Sequence, residues 1–165
     1  MTPGVALAKT AQEIDAGVNA ALDRFTSQVK GSKELLQRAK GVLVFAGVLQ
    51  AGFVYGGEYG EGALRLGGKT RTYYNIAPAS FGLQLGAQKK DIILVFLQDK
   101  ALKDFQAKSG WQIGVDASVV LVDVGAQGSI DSTKLNQPIV GFVVGQSGLM
   151  YNLSLSGSKI SRLEK

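Results

Sequence analysis

The sequence contains no cysteine and no histidine, only three prolines and a single tryptophan in 165 residues. Without His and Cys there can be no Ser-His-Asp or Cys-His nucleophile system, no cysteine redox chemistry and no zinc site built from those ligands. An enzyme made from this chain would have to work with carboxylates, Lys or Tyr alone, and the residues imply neither a metal nor a cofactor. The lack of Cys leaves the compartment open, because disulfide-free proteins occur in the cytosol and in the periplasm. A membrane-spanning helix is also missing. The longest apolar run, from Gly41 to Gly57, is interrupted by Gln50 and by glycines and falls short of the ~20 residues such a helix needs. The opening Met1-Thr2-Pro3-Gly4-Val5-Ala6 has no basic segment leading into an apolar core, so it does not read as a secretory signal.

What is present is a folded chain, with 45% hydrophobic and 19% charged residues, and its length predicts one domain over 1–165. The net charge of +5 points to an anionic partner, either nucleic acid or a lipid surface. Residues 1–40 have a helical period. Leu7, Ala11, Ile14, Val18, Leu22, Phe25 and Val29 recur at steps of three and four, which places them on one helix face. That stripe either docks on the domain's own sheet or lies on a membrane surface, and the mixed-sign polar face favours docking. Lys30-Gly31 ends the helix, Ser32 is expected to cap a second one over Lys33–Lys40, and Gly41 is expected to close it.

From Val42 the period becomes two, and residues 41–165 read as mainly β. Phe53, Tyr55 and Tyr59 alternate with small or polar residues, and Ala63–Leu66, Gly67-Gly68 and Lys69–Thr72 read as a hairpin with a glycine turn. Phe81, Leu83, Leu85 and Ala87 alternate in another strand. Ile92–Leu97 is continuously apolar, as in a strand covered on both faces. Asp99 is expected to cap a short helix that turns Leu102 and Phe105 inward. Trp111, Ile113, Val115, Ala117, Val119 and Leu121 suggest one long strand, and Ile139–Gly145 with Leu149–Leu155 a final hairpin. Glycines inside these strands, at Gly52, Gly82, Gly114 and Gly145, suit a strongly coiled sheet. The fold class is therefore α+β, mostly antiparallel β in a curled, barrel- or sandwich-like sheet, with N-terminal helices and one short internal helix.

Few motifs carry chemistry. Ala63–Thr70 falls one glycine short of a phosphate-binding loop, and a strand pattern follows it where a helix is required, so it reads as a hairpin turn. Glu58 and Glu61 are the nearest carboxylate pair, but they flank glycines as solvated turn residues do. Asp116 is expected to bond a neighbouring loop, and Asn152-Leu-Ser154 is a sequon within a predicted strand. The basic residues form three groups: Lys30, Lys33, Arg38 and Lys40; Arg65, Lys69 and Arg71; and Lys89, Lys90, Lys100, Lys103 and Lys108. Nucleic-acid binding would need aromatics among them, and only Tyr73 and Tyr74 qualify. An anionic membrane asks less, since each basic residue near it contributes roughly 1 kcal/mol, and scattered surface charge with no partner is the plainer alternative.

Four blocks carry a family resemblance. Lys40-Gly-Val-Leu-Val-Phe45, Ala51-Gly-Phe-Val-Tyr-Gly-Gly-Glu-Tyr-Gly-Glu-Gly62, Ser80-Phe-Gly-Leu-Gln-Leu-Gly-Ala-Gln88, and Gly148-Leu-Met150 with Ser154-Leu-Ser-Gly-Ser-Lys-Ile160 resemble, in order, the SYLF domain, also called the Ysc84 actin-binding family. The resemblance runs from about Ala6 to Arg162. It implies a non-catalytic module that binds anionic phospholipid or phosphoinositide-like head groups at a membrane surface, with Lys33, Arg38, Lys40, Arg65, Lys69 and Arg71 as first candidates for the contacts. The second block resembles the bacterial version. That implies an envelope protein of the periplasm or outer membrane whose precursor carries a signal peptide and a lipidated Cys. Two departures are Ala46 where the family often has Pro, and Gln50 where it often has Lys. The basic actin-binding motif of yeast members is not evident near Ser32–Lys40, so actin binding is not expected. Two alternatives are a structural or self-associating protein-interaction module of the envelope, and an apolar-ligand carrier, which needs a cavity inside the barrel.

Overall fold

A computed structural model describes residues 10–48, 60–77, 90–122, 130, 135–145 and 157–165. Helix α1 spans Ala11–Gln28 and starts at a reciprocal cap. The Thr10 hydroxyl accepts from the Glu13 amide at 3.1 Å, and the Thr10 amide donates back to the Glu13 carboxylate at 3.2 Å. Of the predicted stripe, Ile14, Val18, Phe25 and Val29 are buried, Ala11 and Leu22 are half-buried, and Leu7 lies outside the described residues; Ala21 joins the buried face, which packs on the sheet, so α1 docks on its own domain.

Helix α2 covers Ser32–Arg38 and corrects two expectations. Its cap is Gly31, in the left-handed region at φ 87°. Ser32 instead turns its hydroxyl inward and donates to the carbonyls of Val29 and Phe25 at 2.6 and 3.2 Å, binding the two helices together. Gly41 is not a helix terminator but the first residue of β1, paired with Phe96. A Cβ there would sit 2.8 Å from Leu66 and 2.9 Å from Leu102, so the position requires close approach and not a left-handed turn.

The strands are β1 (Gly41–Val48), β2 (Gly60–Leu66), β3 (Lys69–Ala77), β4 (Lys90–Phe96), β5 (Gly110–Gln112), β6 (Val120–Leu121), β7 (Ile139–Gly145) and β8 (Lys159–Leu163), with α3 (Asp99–Gln106) between β4 and β5. They form one sheet in the order β5-β8-β3-β2-β1-β4-β7-β6, antiparallel except for the β6/β7 pair. Its two edge strands are consecutive in the chain. Residues 113–119 join them and can reach at most ~28 Å, so the sheet must curl until its edges lie near each other. The result is a half-barrel.

Alternation divides the side chains between two cores. Val42, Val44, Ala63, Ile93, Val95, Val140 and Phe142 meet α1 and α2 on the outer face. Leu43, Phe45, Leu64, Tyr74, Ile76, Leu94, Phe96 and Ile160 point into the concave face, which α3 closes with Leu102 and Phe105. As predicted, β4 is buried throughout because both faces are covered. Tyr74, Phe96, Phe105 and Trp111 stack at centroid distances of 4.9 to 6.4 Å and fill the concave side. These side chains occupy the part of the concave face where an apolar carrier would need open space.

Three further expectations change. The long strand over 111–121 is broken: β5 ends at Gln112, Gly114 turns at φ 89°, Val115 is 73% exposed, and strand structure resumes only at Val120. Gly114 is thus a turn residue and not a strand interior, because the chain must cross there from one sheet edge to the other. Helix α3 is preceded by Gln98 at the cap position, with no side-chain cap, and Asp99 lies in its first turn. Strand β8 was not foreseen. The expected strands over Phe81–Ala87 and Leu149–Leu155, the alternation at 53–59, and Gly52 and Gly82 lie outside the described residues.

Candidate functional site

The near-miss phosphate loop is the β2–β3 hairpin. Gly67 and Gly68 both have positive φ, 61° and 82°, as the two central residues of a type I′ turn require. Behind the turn, Arg65 is tied to α1. Its Nε donates to Thr70 Oγ1 at 3.2 Å, Nη1 donates to Asn19 Oδ1, and Nη2 donates to the Asp15 carbonyl at 3.2 Å. The Asp15 carboxylate accepts from the Thr70 hydroxyl at 2.8 Å and from the Tyr73 hydroxyl at 2.9 Å. Loss of hydration, followed by the bond to Asp15, holds the Tyr73 phenol above its usual pKa.

Of the six basic residues expected to contact head groups, Arg65 is the one engaged by another side chain among the described residues, and its side chain is only 12% exposed. Lys33 and Arg38 on α2, Lys40 just before β1, and Lys69 and Arg71 on β3 are exposed, and none has an ion-pair partner among the described residues. Folding brings the end of α2 and the glycine hairpin together. A cleft of about 350 Å3 runs between the end of α2 and the hairpin, with Leu36, Gln37 and Ala39 on one side and Arg65, Gly67 and Gly68 on the other. A second cleft of about 380 Å3 is lined by Lys30, Glu34, Leu35 and Arg38 together with Ile130 and Leu135.

The third basic group is dispersed. Lys100 pairs with Asp104 at 3.0 Å and Lys108 with Asp116 at 2.6 Å, while Lys90 is buried at 3% exposure, where loss of hydration lowers its pKa. Lys89 lies outside the described residues. The two tyrosines next to Arg71 are not available to stack bases: the Tyr73 hydroxyl is held by Asp15, and Tyr74 is buried against Phe105. Glu61 pairs with Lys165 at 3.2 Å, whereas Glu58 and the Asn152 sequon lie outside the described residues. Asp116 bonds a neighbouring segment as expected, although from a turn: its carboxylate accepts from Lys108 and from the Gln112 amide at 2.7 Å. These bonds hold its pKa below the usual carboxylate range.

Sequence reasoning missed one buried ion pair, Arg24 with Asp91, which joins α1 to β4. An Arg beside Phe25 on the helix and an Asp just before the Ile92–Leu97 run were its only signals. Among the described residues, no cluster of acidic side chains could hold a metal ion, and no helix is long and apolar enough to cross a membrane.

The fold is a helix-backed half-barrel whose ion pairs Arg24–Asp91 and Arg65–Asp15 fasten α1 to its sheet, and several of its exposed cations have no ion-pair partner among the described residues. Residues 77–165, more than half of the chain, match the model of the Ysc84 family, described as "Las17-binding protein actin regulator", and the chain belongs to that family. The match runs from the last residue of β3 through β8. The description is that of a binding protein and regulator, not of an enzyme. A comparison with curated proteins gives no match.

Proposed function

We propose that this domain is a non-catalytic module that binds anionic phospholipid head groups peripherally, at a membrane surface of the bacterial envelope. The observation that carries this reading is the set of exposed cations with no ion-pair partner among the described residues on the two elements that flank one cleft, Arg38 and Lys40 at the end of α2 and Lys69 and Arg71 on the β2–β3 hairpin. Lys33 extends the same charge along α2, and Arg65 holds the hairpin in place from behind. Each exposed cation contributes roughly 1 kcal/mol near an anionic surface, and the sum weakens as salt screens it. No single residue provides a site; the ligand is a charged plane met by several side chains at once.

Co-sedimentation with vesicles of neutral lipid and of mixed anionic lipid, at low and high salt, tests this. Capture by anionic vesicles alone, reduced by salt, is the expected result. Negligible capture by both overturns it and favours the protein-interaction module, as does concentration-dependent self-association with no lipid preference.

A further inference from the structure

Near β5 and β6, the two edges of the sheet among the described strands, lies a cleft that shares no lining residue with the cleft between α2 and the β2–β3 hairpin. It measures about 580 Å3 and lies between α3, the 116–118 segment and residues 137–139. A cleft of that size is in the range that takes a small organic molecule. Its floor includes the indole of Trp111, which is 3% exposed, with Ile139 beside it. The room above the floor exists because the residues that face it are small: Ala101 on α3, Ala107 just after its end and Ala117 across the gap. A leucine at any of them would occupy it.

The polar side chains of this cleft fall into two kinds. Its charges are already neutralised in place, Lys100 by Asp104 and Lys108 by Asp116. A charged ligand would have to compete with an existing ion pair for either partner. Gln98, Ser118 and Gln137, by contrast, are exposed at the rim, and their side chains have no hydrogen-bond partner among the described residues. They offer amide and hydroxyl donors and acceptors without net charge. The turn that carries the far wall is rigidly set: Gly114 donates to the Ala117 carbonyl at 2.7 Å, and Asp116 is held by Gln112 and Lys108. The cleft is thus formed before any ligand arrives.

We infer that this cleft is a binding site for an uncharged small molecule that places an apolar ring over Trp111 and directs amide or hydroxyl groups to Gln98, Ser118 and Gln137. The site is independent of the basic face and does not require that lipid binding be correct.

Trp111 is the only tryptophan in the chain, so its fluorescence reports this cleft without background from another indole. The probe is N-acetylphenylalanine amide, a neutral ring with two amides, compared with phenylpropionate and phenethylammonium as its anionic and cationic counterparts. A saturable change in Trp111 emission with the neutral probe is expected, with about tenfold weaker binding for either ion. In Ala117→Leu, and separately in Ala101→Leu, the response should vanish while circular dichroism and melting temperature stay those of the parent chain. Should a leucine variant fold poorly, Gln137→Leu leaves the room intact and should weaken the neutral probe alone. The inference is overturned by a linear response, by equal responses to all three probes, by no response to any, or by an undiminished response in a folded leucine variant.

Discussion

Arg24 on α1 grips Asp91 at the start of β4 with two parallel hydrogen bonds, Nε to Oδ2 and Nη2 to Oδ1, both 3.0 Å long. The same carboxylate also accepts from the Gly47 amide of β1 at 3.0 Å, so one side chain secures a helix and two strands. The partners differ in exposure: the Asp91 side chain is 1% exposed and that of Arg24 27%. This asymmetry decides which substitution is worse. Arg24→Ala strands a buried carboxylate and should cost about 3 to 4 kcal/mol, whereas Asp91→Ala leaves a guanidinium that can still reach water and should cost about 2. Urea denaturation of both variants checks the order; a larger loss for Asp91→Ala would contradict it.

Asp15 is the acceptor that gathers Thr70, Tyr73 and, through its carbonyl, Arg65. Asp15→Ala should loosen the β2–β3 hairpin from α1, at a cost of about 1 to 2 kcal/mol. It should also lower the raised Tyr73 pKa, since the bond to Asp15 is one of its causes. The neutral phenol is the form that the fold favours. Its contribution to stability is therefore complete below the unfolded tyrosine value of about 10 and is lost as pH rises through the higher folded value. Ultraviolet titration of the parent chain, Tyr73→Phe and Asp15→Ala measures this directly.

Gly62 pairs with Phe45 where β2 crosses β1, and a Cβ at that position would lie 1.9 Å from the Val44 carbonyl oxygen. The obstacle is backbone, which cannot rotate away as a side chain can. Gly62→Ala should therefore destabilise by about 3 kcal/mol or more. Gly110→Ala, whose nearest neighbour would be the end of Lys159 at 4.0 Å, is the tolerated control. Paired thermal melts should separate the two clearly.

Asp116 has its pKa lowered first by Lys108 and next by the Gln112 amide. A lowered carboxylate stabilises above its unfolded pKa, and that contribution disappears as pH falls through the folded value. The turn over 113–117 should thus hold at neutral pH and open in acid, ahead of the core. Faster amide exchange at Gln112 in acid, with the β4 amides still protected, is the expected pattern; Asp116→Asn should show the faster exchange already at pH 7.

If lipid binding rests on the exposed cations, charge reversal should act site by site. Lys69→Glu and Arg71→Glu should each weaken capture by anionic vesicles by at least roughly 1 kcal/mol without lowering the melting temperature, because both side chains are exposed. Lys100→Glu, on α3 and already paired with Asp104, should change capture less.

Much of the architecture is written in local patterns. The stripe from Ile14 to Val29, the glycine hairpin at Gly67-Gly68 and the unbroken apolar run from Ile92 each follow from a period or a turn requirement, and each survives in the fold. Where single residues had two local roles open to them, tertiary contacts chose. Ser32 could cap a helix but bonds backward to Phe25 and Val29; Gly41 could end one but begins β1, because Leu66 and Leu102 leave no space for a side chain. The alternation from Trp111 to Leu121 is real in sequence and yet not a strand, since the chain has to pass from one edge of the sheet to the other.

The candidate sites divide in the same way. Composition and block order alone determine that this chain has no His or Cys chemistry, that it is basic, and that it has the marks of a Ysc84-family member. Which cations are free is a different kind of fact. Lys33, Arg38, Lys40, Lys69, Arg71 and Arg65 look alike in sequence, but only Arg65 meets Asp15, from 50 residues away, and is drawn into the structure. The cleft above Trp111 is likewise absent from any local pattern. It forms where sheet curvature brings α3, the 116–118 turn and residues 137–139 together, and long-range packing, unlike periodicity, is not encoded in neighbouring residues.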